Sequence, residues 1–538
     1  MKIFKFCNKY LKKHKIKLTA YVLIGFITTL IGIITTYLIG EFLDQLTIGG
    51  EQRVVLTFAL IFIALNVVKI VFGYLSTILY INMQLDMGNE LNRDAISHIQ
   101  GLSLTYTNQV DTAYLNQSVN NDSNGLIIFC ITIIQNIIVN IITIVVPFII
   151  LLFMNAMIAI VFLSFVILYV FVYKAFKKTL HQVSFEFRES QSHFFASLYE
   201  QFQHIKLIKT NGVQEEVNQR LHKNFNNIKT KGLKEQKVNY FFSSVDQIIG
   251  IGAQMVLFTV GGLQVLNGNF TIGMFTVFSI YFNMMLSSSR YFFNLGAVYQ
   301  SQLVSYERLN KIFQEKTEKF GKRKLNSIET ICFDKISFSY REKKIFESLD
   351  MSFEKGKIYA IVGSNGKGKT TLINLLLGMY LDEKQGEVLY NGLSIKEFDL
   401  VYLRKKMFGF SEQEPVLMQD TIRYNLAFGQ TVDDAQLETY LKLLNMKKFI
   451  DSLDNGVDSI INEKNTNISG GEKQKISILK VLLKQPDVMI FDEPSSALDT
   501  DTAQNFVNHL RVIKHDKLII LITHDPFIKN IADIAIEL

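Results

Sequence analysis

Charge and cysteine are both scarce in this sequence. Asp, Glu, Lys and Arg make up only 20% of 538 residues, while hydrophobic residues make up 49%. So little charge excludes a disordered chain, and the lack of repeats or low-complexity tracts speaks against a fibrous one. The three cysteines, Cys7, Cys130 and Cys332, have no metal-ligand spacing. They read as ordinary thiols in a reducing compartment or in lipid. The first apolar run is too long for a signal peptide, and no small-residue cleavage site follows it before Glu41 and Asp44.

What is present is divided unevenly. Long apolar runs crowd the part before about residue 295, and the rest alternates between strand-like and helix-like segments. At this length more than one domain is expected. The net charge is +7. A basic balance can serve nucleic acid, but here the lysines of the first seventeen residues stand directly before an apolar stretch. That is the place of a cytoplasmic flank to a first transmembrane helix, and no nucleic-acid partner is expected.

Six stretches can span a bilayer, taking about 20 apolar residues as enough. They are residues 18–43, 54–83, 126–154, 156–176, 241–266 and 271–293. Lys174, Lys177 and Lys178 follow the fourth and mark the inner side, whereas the outer connections carry few basic residues. The two inner connections are long and polar. Apolar residues recur in them at helical spacing, as in Leu207, Ile208, Val213, Val217 and Leu221, which predicts helices continuing into the cytosol. Their tips are expected around residues 111–119 and 211–215. The charged segment 314–324 reads either as a solvated linker or as a continuing helix end.

Several polar residues fall within the spans: Lys69 near Asn66, then Gln135, Asn136 and Asn140, then Asp246, Gln247 and Gln254. Such residues line a substrate pathway, or they snorkel, bond helix to helix, or, for Asp246, stand near the interface. The abundant Phe and Met are expected to face lipid rather than to line an adaptable cavity.

The second part carries the chemistry. Gly363, Ser364, Asn365, Gly366, Lys367, Gly368, Lys369 and Thr370 fit G-x-x-x-x-G-K-[ST] between an apolar strand and a helix that continues through Thr371. Glycines let the backbone wrap phosphates, and the helix start adds its positive dipole end. Lys369 reaches the β- and γ-phosphates, and the Thr370 hydroxyl suits Mg²⁺. Alone, this would be a plain strand–helix turn only rarely, given its flanks. Next, the apolar run 488–491 delivers Asp492 and Glu493 at its carboxyl end, where ligands bind in open α/β sheets. Asp492 suits the Mg²⁺ shell and Glu493 a general base for water; as an isolated pair they would equally be helix-capping acids.

Ser469, Gly470, Gly471 and Glu472 precede that strand. They closely resemble the signature of the ATP-binding cassette family. Four further features match in order. Tyr340 resembles the aromatic residue stacked on adenine. Gln413 resembles the glutamine that touches Mg²⁺ and water. Residues 496–499 resemble the loop coupling two nucleotide sites, and His524 the histidine at the γ-phosphate. Each would read as an ordinary tyrosine, glutamine, loop or histidine if it stood alone. Glu472 departs from the more common glutamine, and Asn465 from a usual glycine, while Glu463 matches the acidic residue that meets the inner helix tips.

The resemblance covers nearly the whole chain and points to the exporter branch. It implies an all-α six-helix transmembrane domain (1–316), a linker (317–328) and an α/β P-loop ATPase domain (329–538). It implies Mg²⁺ and ATP held between two subunits, with Ser469, Gly470, Gly471 and Glu472 contacting ATP bound to the opposite one. It further implies ATP-driven export of an amphipathic or hydrophobic cargo by alternating access, from a multi-pass protein of the cell membrane with a cytoplasmic amino terminus and ATPase domain. A homodimer is expected, with a related half-transporter as the alternative partner. An exporter-fold importer, or an ATP-gated channel without a pump stroke, is the alternative function. The family usually adds a hairpin and helix beyond the point where this chain ends, and no leader-trimming protease domain is expected before the first span.

Overall fold

The computed structural model describes residues 2–49, 51–110, 112–318, 320–340, 343–364, 366–380, 384–461 and 468–538. Its contacts divide into two units: Met1–His98 with Thr112–Glu315, and Ile99–Asp111 with Lys316–Leu538.

The first unit is helical. It comprises α1 (Lys2–Lys13), α2 (Lys15–Thr47), α3 (Gln52–Gln100), and, after α4 (Leu104–Gln109) of the other unit, α5 (Thr112–Gln117) and α6 (Ser123–Met154). Then follow α7 (Ala156–Gln203), α8 (Ile205–Asn211), α9 (Gln214–Val256), α10 (Gly262–Leu266) and α11 (Ile272–Gln314). Five helical stretches among the described residues are long and apolar enough to cross a membrane: Lys15–Thr47, Gln52–Gln100, Tyr114–Met154, Gln214–Leu266 and Ile272–Gln314. This roughly matches the six expected. The remaining one falls on α7, several of whose apolar side chains lie outside the described residues. The 49 residues of α3 rise about 73 Å at 1.5 Å per residue, more than twice the hydrocarbon thickness. Helices of this length continue beyond the bilayer.

The amphipathic helix α1 buries Ile3, Cys7 and Tyr10. The flanking lysines are not simply solvated. Lys9 donates to Asp94 at 2.6 Å, Lys13 to Glu90 at 2.9 Å and Lys17 to Asp86 at 3.0 Å. The acids recur every four residues along one face of α3, which is how one helix meets a run of partners. Near the other end of α2, Gly40 and Gly273 let α2 and α11 cross in contact. A Cβ on Gly273 would stand 2.0 Å from Gly40 O. Asp44 seals the crossing by accepting from Gly273 N at 2.7 Å and Thr271 Oγ1 at 2.6 Å. Beneath it lies a core of Phe270, Phe278, Tyr281, Phe282 and Met285.

The inner connections turn on short helices. Ser103 caps α4, so the first turn is centred on residues 104–109 rather than on 111–119. Asp111 lies outside the described residues. The second turn, α8, stops at Gly212 in the left-handed region (φ 66°), close to the expected place.

The second unit is built on sheets. It contains β1 (Thr330–Tyr340), β2 (Lys343–Glu354), β3 (Ile358–Val362), α12 (Lys369–Leu376), β4 (Lys384–Tyr390), β5 (Leu393–Ser394), α13 (Leu400–Lys406) and β6 (Phe408–Ser411). It continues with β7 (Asp420–Thr421), α14 (Ile422–Ala427), α15 (Asp434–Leu443), α16 (Lys447–Asp451), β8 (Ile460–Ile461) and α17 (Gly470–Lys484). It ends with β9 (Val488–Asp492), α18 (Thr500–Ile513), β10 (Leu518–Ile522), α19 (Pro526–Lys529) and β11 (Ile534–Glu537). A parallel five-stranded sheet runs β11-β3-β10-β9-β6, and an antiparallel one runs β2-β1-β4-β5. Strands β3, β9 and β10 are apolar almost throughout because helices cover both faces of a parallel sheet.

The charged segment after α11 is fastened to this second unit. Glu318 N donates to Gly101 O at 2.7 Å, Leu102 bridges to Thr317, and Asp399 N donates to Arg323 O at 2.9 Å. Leu104 and Phe320 pack against the sheet core.

Candidate active site

The loop from β3 to α12 has to be glycine-rich. Gly366 and Gly368 hold φ of 82° and 97°, where side chains are rarely tolerated. A Cβ on Gly368 would also meet Ile345 at 2.6 Å and Phe346 at 2.8 Å. Lys367 N turns back to Ser364 O at 3.3 Å, and α12 starts at Lys369, so the first-turn N–H groups of Lys369, Thr370 and Thr371 border the loop. Lys369 Nζ donates to Gly363 O at 2.7 Å and also contacts His524 Nε2. Asn365 lies outside the described residues.

Four groups named from the sequence, Lys369, Gln413, Glu493 and His524, converge beyond the carboxyl ends of β3, β6, β9 and β10. Gln413 Nε2 donates to Glu493 Oε2 at 3.2 Å, and His524 Nε2 lies 3.8 Å from Glu493 Oε1. Glu493 itself sits in the left-handed region (φ 48°), with its N–H donating to Ile522 O at 2.9 Å. Burial raises the Asp492 carboxyl to about 6, reinforced by the Glu493 charge and opposed by Lys369. Among the described residues this carboxylate accepts no side-chain or backbone hydrogen bond. A half-buried acid without a hydrogen-bond partner is a hard oxygen donor, and with the Thr370 hydroxyl and the Gln413 amide oxygen it makes up a donor set whose chemistry suits a hard divalent cation.

Tyr340 ends β1 and is 39% exposed. Its hydroxyl donates to Tyr380 Oη at 2.9 Å and accepts from Thr371 Oγ1 at 3.4 Å, which ties this aromatic face to the phosphate-loop helix.

Ser469 caps α17 with a reciprocal capping box. Its Oγ accepts from Glu472 N at 3.3 Å, and Glu472 Oε2 accepts from Ser469 N at 2.7 Å and from Ser469 Oγ at 2.9 Å. The departure from glutamine therefore places a carboxylate on the positive end of α17. Among the described residues no hydrogen bond or ion pair joins Ser469, Gly470, Gly471 or Glu472 to the phosphate loop of the same chain. Glu463 and Asn465 lie outside the described residues.

One participant escaped the sequence reading. Gln474, buried in α17, donates Nε2 to Glu493 O at 2.8 Å, and its Oε1 accepts from Ser496 Oγ at 2.9 Å. It links the signature helix to the backbone of the expected base. The only available signal was a glutamine on an otherwise apolar helix face.

Comparison with known proteins agrees with this architecture. Residues 18–289 match the ABC transporter transmembrane region and residues 346–496 match the ABC transporter domain. The chain belongs to the ATP-binding cassette transporter family, as a multi-pass membrane protein with a nucleotide-binding domain. A putative multidrug export ATP-binding/permease protein of Staphylococcus aureus is 26% identical over 443 residues, 81% of this chain and 76% of the relative. An ATP-dependent lipid A-core flippase of Desulfotalea psychrophila is 26% identical over 506 residues, 93% of this chain and 88% of the flippase. The fold matches a bacterial Atm1-family ABC exporter with ATP bound at a TM-score of 0.83 and 22% identity, covering 98% of this chain and 94% of that one.

Proposed function

We propose that the chain is one half of an exporter that hydrolyses ATP to move an amphipathic or hydrophobic molecule across the cell membrane by alternating access. The membrane domain spans 1–316, the linker 317–328 and the ATPase domain 329–538, with the ATPase domain cytoplasmic. The convergence of Lys369, Gln413, Glu493 and His524 carries this reading. A channel or regulator without turnover has no need of a positioned base.

The loop N–H groups and Lys369 bind the ATP phosphates, and Tyr340 supports the adenine. Water held by Gln413 attacks the γ-phosphorus, the bond to the bridging oxygen breaks, and Glu493 takes the water proton. His524 orients the γ-phosphate. Thr370, Gln413 and Asp492 would hold Mg²⁺, which neutralises phosphate charge when bound. Ser469, Gly470 and Gly471 present the end of α17 to ATP of the second copy, so the working form is a homodimer.

Glu493→Gln is expected to cut ATPase kcat at least about a hundredfold while the variant still retains ATP. Lys369→Ala is expected to weaken nucleotide binding itself. Near-normal turnover of the purified Glu493→Gln chain in lipid would remove the base from Glu493.

A further inference from the structure

Among the described residues, three amide side chains within the spans find partners on the protein's own backbone. Asn66 Nδ2 donates to Phe62 O at 2.8 Å, Asn140 Nδ2 to Asn136 O at 2.7 Å and Gln135 Nε2 to Tyr21 O at 3.1 Å. Lys69 differs. It stands midway along the apolar stretch 54–83 of α3, roughly 20 Å from either end at 1.5 Å per residue. Its side chain is exposed, and among the described residues its ammonium has no hydrogen bond or ion pair. The head lies against α2, where a Cβ on Gly32 would come within 3.7 Å of Lys69 Nζ. The hydroxyls of Thr35 and Thr36 close by are spent as donors to Ile31 O at 2.7 Å and Gly32 O at 3.0 Å.

The acids of the two helices are engaged elsewhere or stand far along them. Asp44, near the end of α2, is spent on α11. Asp86, Glu90 and Asp94 of α3 are spent on Lys17, Lys13 and Lys9. A lysine at this depth is costly unless it meets water or a negative group, and it is too far from either end to snorkel. A negative group can reach that depth only on a molecule with an apolar body.

We infer that Lys69 receives the anionic headgroup of the transported molecule, and that the cargo is an amphipathic anion, an apolar body bearing a phosphate or carboxylate. This rests on the transport function proposed above. The charge-assisted contact selects sign, and the surrounding apolar face of α3 accepts the body.

The test uses the full chain in phosphatidylcholine nanodiscs. Dodecyl phosphate and dodecyltrimethylammonium are titrated separately, and binding is read by calorimetry. Wild type is expected to bind the phosphate about tenfold more tightly than the cation, Lys69→Met to lose that preference, and Lys69→Arg to keep it. If Lys69→Met fails to insert, Lys69→Gln serves as the neutral variant. Nanodiscs containing phosphatidylglycerol separate the two sources of anion. Competition with dodecyl phosphate that depends on Lys69 assigns the site to a bilayer lipid, and unchanged dodecyl phosphate affinity assigns it to a cargo arriving from water. Equal affinity for both detergents, or unaltered phosphate binding in the neutral variant, overturns the assignment. So does loss of the dimer in that variant, which would give Lys69 to a carboxylate of the second copy. An absence of ATPase activity in wild type would remove the transport function, whereas binding indifferent to Lys69 would remove only this site.

Discussion

Glu493 occupies a backbone region that costs a non-glycine residue of order 1–3 kcal/mol unless its surroundings hold it there. Three hydrogen bonds supply the hold: its N–H donates to Ile522 O, and its carbonyl accepts from Gln474 Nε2 and Ser496 N, with the Ser496 hydroxyl shared between that carbonyl and Gln474 Oε1. Gln474→Leu removes the one that comes from α17 and so loosens the strained turn. The expected result is an ATPase kcat lower by about ten- to a hundredfold, or about 1.4–2.8 kcal/mol, with nucleotide affinity unchanged. Steady-state kinetics beside nucleotide titration checks this, and a loss of affinity instead would move Gln474 out of the positioning role. The carboxylate of Glu472 makes a second case. It occupies the same positive helix end that is proposed to meet an ATP phosphate, so Glu472→Gln removes a competing charge. A helix-end charge effect of about 0.3–1 kcal/mol predicts a KM for ATP lower by about two- to fivefold. A KM that stays the same or rises would show that the capping box matters more than the charge. At this scale the sequence was readable wherever chemistry demands neighbouring residues, as in Gly363 to Thr370. It was silent on Gln474, because its partners Glu493 and Ser496 are brought to it only by the packing of α17 against the sheet.

Helix elements were legible in extent where apolar length decides them. The spans at 18–43 and 126–154 fall inside α2 and α6. The bend into α4 was not, because a single capping serine at Ser103 sets it within a run of ordinary polar residues. Nor was the ladder of Lys9, Lys13 and Lys17, whose acids lie on another helix. The α2–α11 crossing depends on glycine at two positions. Gly273→Ala drives a methyl into Gly40 O and Asp44 and is expected to destabilise the helical unit by about 1–3 kcal/mol. Thermal unfolding of the purified variant in detergent would report it, and an unchanged midpoint would mean that the helices part easily. In α17, burial lowers the Lys484 ammonium to about 8, with Lys480 and Lys406 adding repulsion. Between about 8 and the ordinary lysine value the native chain binds fewer protons than the unfolded one, so stability from this group rises with pH across that window. The slope of unfolding midpoint against pH from about 8 to 10 should flatten in Lys484→Met.

The nucleotide site, as proposed, belongs to two copies of the molecule. A chain carrying Lys369→Ala and a chain carrying Ser469→Arg should each lack ATPase activity alone. Co-expressed, they form mixed dimers in which one site pairs the intact Lys369 with the intact Ser469. Partial recovery of turnover is expected, up to about half of the activity per mixed dimer if the two sites fire independently. No recovery at any mixing ratio would place both halves of the site within one chain. This scale was legible only through resemblance, since nothing in the order of residues along one chain states that its signature faces another copy.

The strap formed by residues 99–111 has its own consequence for anyone who recombines transporters. The sheet unit is discontinuous in sequence: Gly101, Leu102 and Leu104 are part of it although they lie more than two hundred residues upstream of Glu318 and Thr317. A chimera cut once, near residue 316, would therefore join a foreign strap to a native ATPase surface. Swaps between homologues should need two crossovers, with residues 99–111 travelling alongside the carboxyl-terminal half.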